Sequence, residues 1–228
     1  MTLFPIVLGV RSSSDAEILS HAPATKPAAE KVLRRDGCVC RFCGFKSEKF
    51  QRVIPYAAAG EIPFATVCTF CEQCLFLERN GITGAGLLIW LPEIPQAELN
   101  HIARAAYIAR QENPPNETLG PSATRAIDSL TARRAEAKKR LGIDDPILLA
   151  TILHESLTDG ERKEAVQKLD GIRLLPSDKY WIRGASGDVN QFSTMAKYWR
   201  SSEGPYAKTP VTSWSDMFKM ATTAAGHA

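Results

Sequence analysis

Histidine is scarce in this chain. There are four, His21, His101, His154 and His227, and none lies between Cys38 and Cys74. Cysteine is absent outside residues 38–74. No apolar run approaches the roughly 18–20 residues that a membrane-spanning helix needs, so direct membrane insertion is not expected. Charge is nearly balanced, with 28 Lys and Arg against 25 Asp and Glu, a net +3. That is too mild a field to demand a nucleic-acid partner. There is no Walker A loop, no G-x-G-x-x-G and no internal repeat, and the glycines at 81–86 are too loose to cradle phosphate. Ser/His/Asp and Cys/His triads find no local support. His101 and His154 lie in helical sequence without acidic or cysteine neighbours at ligand spacing, and read as ordinary core or surface residues.

The six cysteines that are present all fall in one short window. They read Cys38-Val39-Cys40-Arg41-Phe42-Cys43-Gly44 and, after about two dozen residues, Cys68-Thr69-Phe70-Cys71-Glu72-Gln73-Cys74. Two C-x-x-C turns at this separation are the spacing of a four-thiolate zinc site. Each turn brings two thiolates together, and Gly44 relieves the backbone after the first. Disulfides or scattered core thiols would not cluster in this way. Thiols kept reduced to hold zinc place the chain in a cytosolic compartment.

The region resembles the HNH (treble-clef, ββα-metal) nucleases. In that family a C-x-x-C-G turn precedes a hairpin bearing paired histidines, and an Asn lies shortly before a closing C-x-x-C-H. Laid on this pattern, the paired histidines fall on Gln51 and Arg52, the Asn near Pro63 or Phe64, and the closing His on Glu72. Phosphodiester hydrolysis there needs a His base and a His or Asn on the catalytic metal. The resemblance therefore implies a degenerate HNH-like fold without nuclease activity. The spacing, with that alignment, points to one structural zinc held by Cys40, Cys43, Cys68 and Cys71. Cys38 and Cys74 are then spare, and Cys74 is the alternative ligand.

With 44% hydrophobic residues, 228 residues can build a sizeable core, as one large domain or two small ones. Residues 3–10 are short and apolar, lack a basic flank and carry Pro5, so they read as a strand rather than a signal peptide. A helix is expected over Lys26–Arg35, and a second from the closing turn to about Glu78. Asn80-Gly81 and Gly84-Ala85-Gly86 are turns. Leu87–Leu91 is a buried strand, and a helix follows from Pro95 to about Gln111 with Leu99, Ile102, Ala103 and Ala106 inward. Glu112-Asn113-Pro114-Pro115-Asn116 breaks the chain. Beyond it, Ser122 caps a helix from Ala123 to Leu141 that Gly142 ends. Pro146 opens a helix burying Ile147, Leu148, Ile152 and Leu153. Thr158 and Glu161 form a capping box for a third helix, to about Leu169. Ile172–Pro176 is extended, Asn190–Trp199 helical, and Trp214–Met220 a last helical pattern. The fold class is α+β, an HNH-like treble-clef zinc core with short strands followed by a helical C-terminal half. Residues 1–112 form the zinc-binding domain with its flanking strand and helix, 117–200 a helical region packed on it, and 201–228 a tail of uncertain order.

Arg125, Arg133, Arg134, Lys138, Lys139 and Arg140 make one helix basic. Such a stripe can follow phosphates, but it reads better as a solvated face aided by the helix dipole. Asp144, Asp145 and Glu48 have no second carboxylate to pair with, and read as caps and surface charge.

Four stretches carry a narrower resemblance. The two cysteine turns, the run Leu88-Ile89-Trp90-Leu91-Pro92-Glu93-Ile94-Pro95-Gln96-Ala97-Glu98-Leu99-Asn100 and the run Ile172-Arg173-Leu174-Leu175-Pro176-Ser177 resemble the DotN (IcmJ) proteins, components of type IVB secretion and related conjugation machines. The resemblance covers residues 1 to 200 in order. It implies a non-catalytic protein that binds a cytoplasmic segment of the coupling ATPase, beside other coupling-complex subunits and adaptor chaperones. It also implies a cytoplasmic location, peripheral at the inner membrane. The alternative is an HNH-derived DNA-binding module or nuclease of the conjugation apparatus.

Overall fold

The computed structural model describes residues 2–9, 26–56, 63–79, 86–111, 119–155, 157–184, 187–208 and 211–226. The expected turns at 80–85 and the breaker at 112–116 lie outside them. Helix α1 (Lys26–Arg35) buries Val32 and ends with Arg34 and Arg35. Cys38 N donates to Leu33 O at 2.9 Å and Gly37 N to Arg34 O at 3.1 Å. This Schellman arrangement satisfies the helix's last carbonyls and turns the chain into the first cysteine pair.

Strands β1 (Arg52–Pro55) and β2 (Phe64–Val67) form an antiparallel hairpin, from Arg52 opposite Val67 to Pro55 opposite Phe64. Helix α2 (Thr69–Leu75) follows at once. It stops short of the expected Glu78 and gives way to a 3₁₀ turn, Leu77–Arg79. The cause is the N-terminal segment. Gly9 N donates to Cys74 O and Leu77 N donates to Gly9 O, which pulls the chain out of helical register.

That segment is not the strand expected from its short apolar run. Leu8 is buried while Leu3 and Val7 are 45% and 47% exposed, so the period of two is real. No strand lies beside it among the described residues. It is anchored by the two bonds at Gly9, by Phe4 N donating to Arg41 O, by Arg41 Nη2 donating to Thr2 O, and by the Phe4 ring against Arg41, Phe42 and Tyr56.

Strand β3 (Leu87–Trp90) pairs antiparallel with β4 (Ile172–Leu175), far away in sequence. The Gln96 side chain donates to Leu174 O at 2.7 Å and accepts from Leu174 N at 2.9 Å, which seals the free edge of β4. Trp90 of β3 rests on Gly171, where a Cβ would meet the indole ring at 2.3 Å and where φ is +79°. Only glycine fits there.

Helix α3 (Gln96–Arg110) is the axis of the molecule. Leu99, Ile102, Ala103 and Ala106 are buried as expected, and so are Asn100, Arg104, Ala105, Tyr107, Ile108 and Ala109. A helix buried on nearly all sides belongs at the centre of a core. The expected helix 123–141 is instead two: α4 (Leu119–Ala132) and α5 (Arg134–Leu141). Ser122 lies inside the first turn of α4 rather than capping it. The break is at Arg133, whose side chain turns inward to pair with Glu93 and whose carbonyl accepts from Trp90 N. Gly142 caps α5 in the left-handed region, as expected.

Helix α6 (Pro146–Glu155) buries Leu149, Ala150 and Leu153 and leaves Leu148 and Ile152 exposed. The inward face is thus rotated from the expected one, because a helix apolar on almost every side gives periodicity little to choose from. Helix α7 (Asp159–Gln167) begins with the expected Thr158–Glu161 capping box. A hairpin that the sequence did not suggest, β5 (Trp181–Gly184) with β6 (Gly187–Asn190), precedes α8 (Phe192–Arg200). Helix α9 (Val211–Gly226) then lays Trp214, Phe218 and Ala221 into the core against α4 and α3. The architecture is α+β, mostly helical, with three two-stranded sheets among the described residues.

Candidate metal centre

The first cysteine pair lies on a tight turn closed by Gly44 N donating to Cys40 O and Cys40 N donating to Phe45 O, each at 2.9 Å. Gly44 takes φ +77°, the left-handed conformation the turn demands. In the second pair Cys68 is the N-cap of α2, with extended backbone, and Cys71 is in the first helical turn. Residues three apart on a helix share a face, so both sulfurs point the same way. The hairpin β1–β2 brings the two turns together, and Arg41 N of the first donates to Thr66 O of β2.

The sulfurs of Cys40, Cys43, Cys68 and Cys71 all lie within 4.8 Å of one another, and all four residues are buried. Cys43 Sγ and Cys68 Sγ are 3.7 Å apart. A tetrahedron of sulfurs at the usual zinc–sulfur distance has edges of about 3.8 Å. Sulfur chemistry and spacing therefore fit a metal ion held by four thiolates. Burial pushes the Cys40 and Cys71 thiols up, while hydrogen bonds from Cys40, Cys68 and Cys71 hold Cys43 well below the usual thiol range. A metal would replace the protons that the cluster keeps.

Cys74 is one turn beyond Cys71 and fully buried, yet its Sγ donates to Phe70 O at 3.3 Å. Burial pushes its thiol far up, so it stays a neutral donor. Cys38 is half-buried and outside the cluster.

Sequence reasoning missed the third wall of the site, which is α3. Arg104 is fully buried, and its Nη2 donates to Cys68 Sγ at 3.1 Å. Its guanidinium stacks 3.8 Å over the Phe45 ring and 5.1 Å from that of Phe70. Asn100 Nδ2 donates to Cys71 Sγ at 3.3 Å. His101 Nε2 bonds Cys43 O at 2.7 Å, and its Nδ1 lies 3.3 Å from Arg104 Nη1. A carbonyl can only accept, so the proton is on Nε2 and Nδ1 accepts from Arg104. The signal for these residues was an Asn and an Arg four apart in a helix whose buried positions are mostly Leu, Ile and Ala.

The positions aligned with the HNH histidines are occupied otherwise. Gln51 donates through Nε2 to Phe45 O at 2.7 Å and to Cys38 O at 3.1 Å. Arg52 Nε pairs with Glu72 Oε2 at 3.1 Å, and its Nη1 donates to Tyr180 OH at 2.8 Å. Tyr180 OH in turn donates to Glu72. The basic stripe is largely spent as well. Arg133 pairs with Glu93, Arg134 with Asp144, and Lys139 and Arg140 with Glu136. Among the described residues no helix is long and apolar enough to cross a membrane.

No protein-family model matches the chain. It is 31% identical over 159 residues to the type 4 apparatus protein DotN of Legionella pneumophila, an alignment covering 67% of this chain and 73% of that protein. This similarity, together with the cysteine pairs and the runs at 88–100 and 172–177, shows that the chain belongs to the DotN family.

Proposed function

We propose that this protein is a non-catalytic, zinc-stabilised component of a type IV coupling complex. It binds a cytoplasmic segment of the coupling ATPase, beside other subunits and adaptor chaperones, and helps recruit substrates for secretion or conjugative transfer. The observation that carries the reading is the similarity to a type 4 apparatus protein over two thirds of the chain. One zinc ion is held by Cys40, Cys43, Cys68 and Cys71, and filling all four positions with protein is the mark of a structural site. The order of cysteine turn, hairpin, cysteine turn and helix supports a degenerate HNH-like treble clef. Residues 1–112 are the zinc-binding part, 117–200 pack on it through β3–β4 and the Tyr180–Glu72 bond, and the C-terminal segment adds α9, packed on α3 and α4. The protein works in the cytoplasm, peripheral to the inner membrane through its partners.

The absence of catalysis is supported by the fate of Gln51, Arg52 and Glu72, which are committed to backbone carbonyls and an ion pair. A DNA-binding role gains nothing from the basic stripe, since most of its charges already face carboxylates. The apolar runs 87–90 and 172–175 are spent in the core, as is Trp199. Leu148, Ile152, Trp181 and Val189 remain exposed for a partner. An extended segment that orders on binding can wrap such separated contacts.

The test is co-purification and calorimetry with the cytoplasmic part of the cognate ATPase. Binding is expected for the intact chain, lost in Cys43→Ser and kept in Arg134→Ala/Lys138→Ala. No heat from a folded, zinc-loaded protein with any soluble ATPase fragment rules the role out. Plasmid cleavage that disappears in a zinc-site variant would favour the nuclease alternative.

A further inference from the structure

We propose that Arg104 is the counter-ion of the metal–thiolate centre, and that α3 completes the site by clamping both cysteine pairs. The inference rests on the reading that the four cysteines hold zinc, and it adds what the rest of the chain does for that ion.

Arg104 is fully buried, and among the described residues no Asp or Glu carboxylate pairs with it. A guanidinium without an anion is among the least tolerable groups in a protein interior. The groups around it are the Phe45, Phe70 and Trp199 rings, the neutral Tyr206 hydroxyl, the His101 ring nitrogen, and the sulfur of Cys68 at 3.1 Å. Aromatic faces attract a cation but do not cancel its charge. The sulfurs do, provided they are thiolates. A divalent ion with four thiolates carries two surplus negative charges, and Arg104 neutralises one of them. With four protonated thiols it would have no counter-charge.

The geometry is specific. Asn100, His101 and Arg104 come from one face of α3. Asn100 and Arg104 donate to the sulfurs of the second pair, Cys71 and Cys68, and His101 holds the carbonyl of Cys43 in the first. Arg104 also orients His101 through Nδ1. N–H donors on a thiolate draw charge off the sulfur and fix its direction, which outer partners of metal sites commonly do.

The experiment uses the full chain in four forms: wild type, Arg104→Met, Arg104→Lys and Asn100→Leu. Zinc affinity is read by competition with a chromogenic chelator, and the thiolate-to-metal charge-transfer band is read after loading with cobalt(II). Arg104→Met should bind zinc roughly 10–100-fold more weakly, with the cobalt band moved to lower energy because Cys68 becomes a stronger donor. Arg104→Lys restores the charge without the planar donor pair and should recover part of the affinity. Asn100→Leu should shift the band less. A band shift in a folded, loaded protein is not produced by a purely packing role. If Arg104→Met does not fold, the Lys and Leu variants decide in the same way. Unchanged affinity and an unchanged cobalt band in the variants that fold overturn the proposal. Wild type that binds no metal overturns the zinc reading itself, a distinct outcome.

Discussion

Arg104 on α3 and the arginines around α5 carry the same guanidinium into different company. Arg133, Arg134 and Arg140 each face a carboxylate, Glu93, Asp144 and Glu136. Arg104 faces sulfur and aromatic rings. The α5 group was conspicuous as a basic stripe and proves largely self-contained, with Arg140 also stacked 3.7 Å over Trp90. Arg104 gave no such signal and lies against the sulfur cluster, on Cys68. The charges around α5 find carboxylates both on their own helix and beyond it, whereas Arg104, with none, must be answered by something specific.

The contrast is broken most completely by removing the sulfur side. Cys43→Ser should abolish metal binding, worth about 10 kcal/mol in small zinc domains, and unfold residues 38–80. Elemental analysis and circular dichroism check this, and a folded, metal-loaded variant would contradict it.

On the α5 side the largest effect should come from Gly171→Ala. The new Cβ would strike Trp90 and would need a left-handed backbone, so about 3 kcal/mol should be lost. The midpoint of urea unfolding reads it, and Trp90 fluorescence should change with it.

Arg133→Met sharpens the comparison further. Arg133 is 3% exposed but the side chain of its partner Glu93 is 36% exposed, so water can take over the carboxylate. A loss of about 1–2 kcal/mol is expected, below the ~3–5 kcal/mol of a fully buried pair.

Asp36 gives a pH-dependent case. Burial raises its pKa, but bonds from Arg35 and Thr66 N overcome this and hold it below the ordinary value. Because the folded pKa is depressed, its stabilisation is present above the unfolded value of about 3.9 and is lost as pH falls through the folded one. Asp36→Asn should therefore be less stable than wild type by about 1–2 kcal/mol at pH 7, with the difference vanishing in acid. The smallest effect belongs to Arg134→Ala, whose half-exposed pair with Asp144 should be worth at most about 0.5 kcal/mol and fade with salt.

Local rules made much of the fold legible. The span of α1, the Thr158–Glu161 box, the Gly142 cap and the extended 172–175 segment each rest on a few adjacent residues. The misreadings arose where distant chain intervenes. Gly9 ends α2 early, Glu93 and Trp90 break the helix at Arg133, and the apolar surroundings of α6 choose a face that periodicity could not.

By itself the sequence determined that four cysteines in two pairs would meet. A C-x-x-C turn is a short-range object, and two of them with no other cysteine beyond their window leave few ways to pair. It also carried the family resemblance, in runs such as 88–100. Only the tertiary structure decided that Cys74 donates to a carbonyl outside the cluster, that Arg52 locks to Glu72, and that α3 delivers Asn100, His101 and Arg104 to the sulfurs. Those choices depend on which helix is packed against which turn, and contacts across tens of residues leave no period or spacing in the chain.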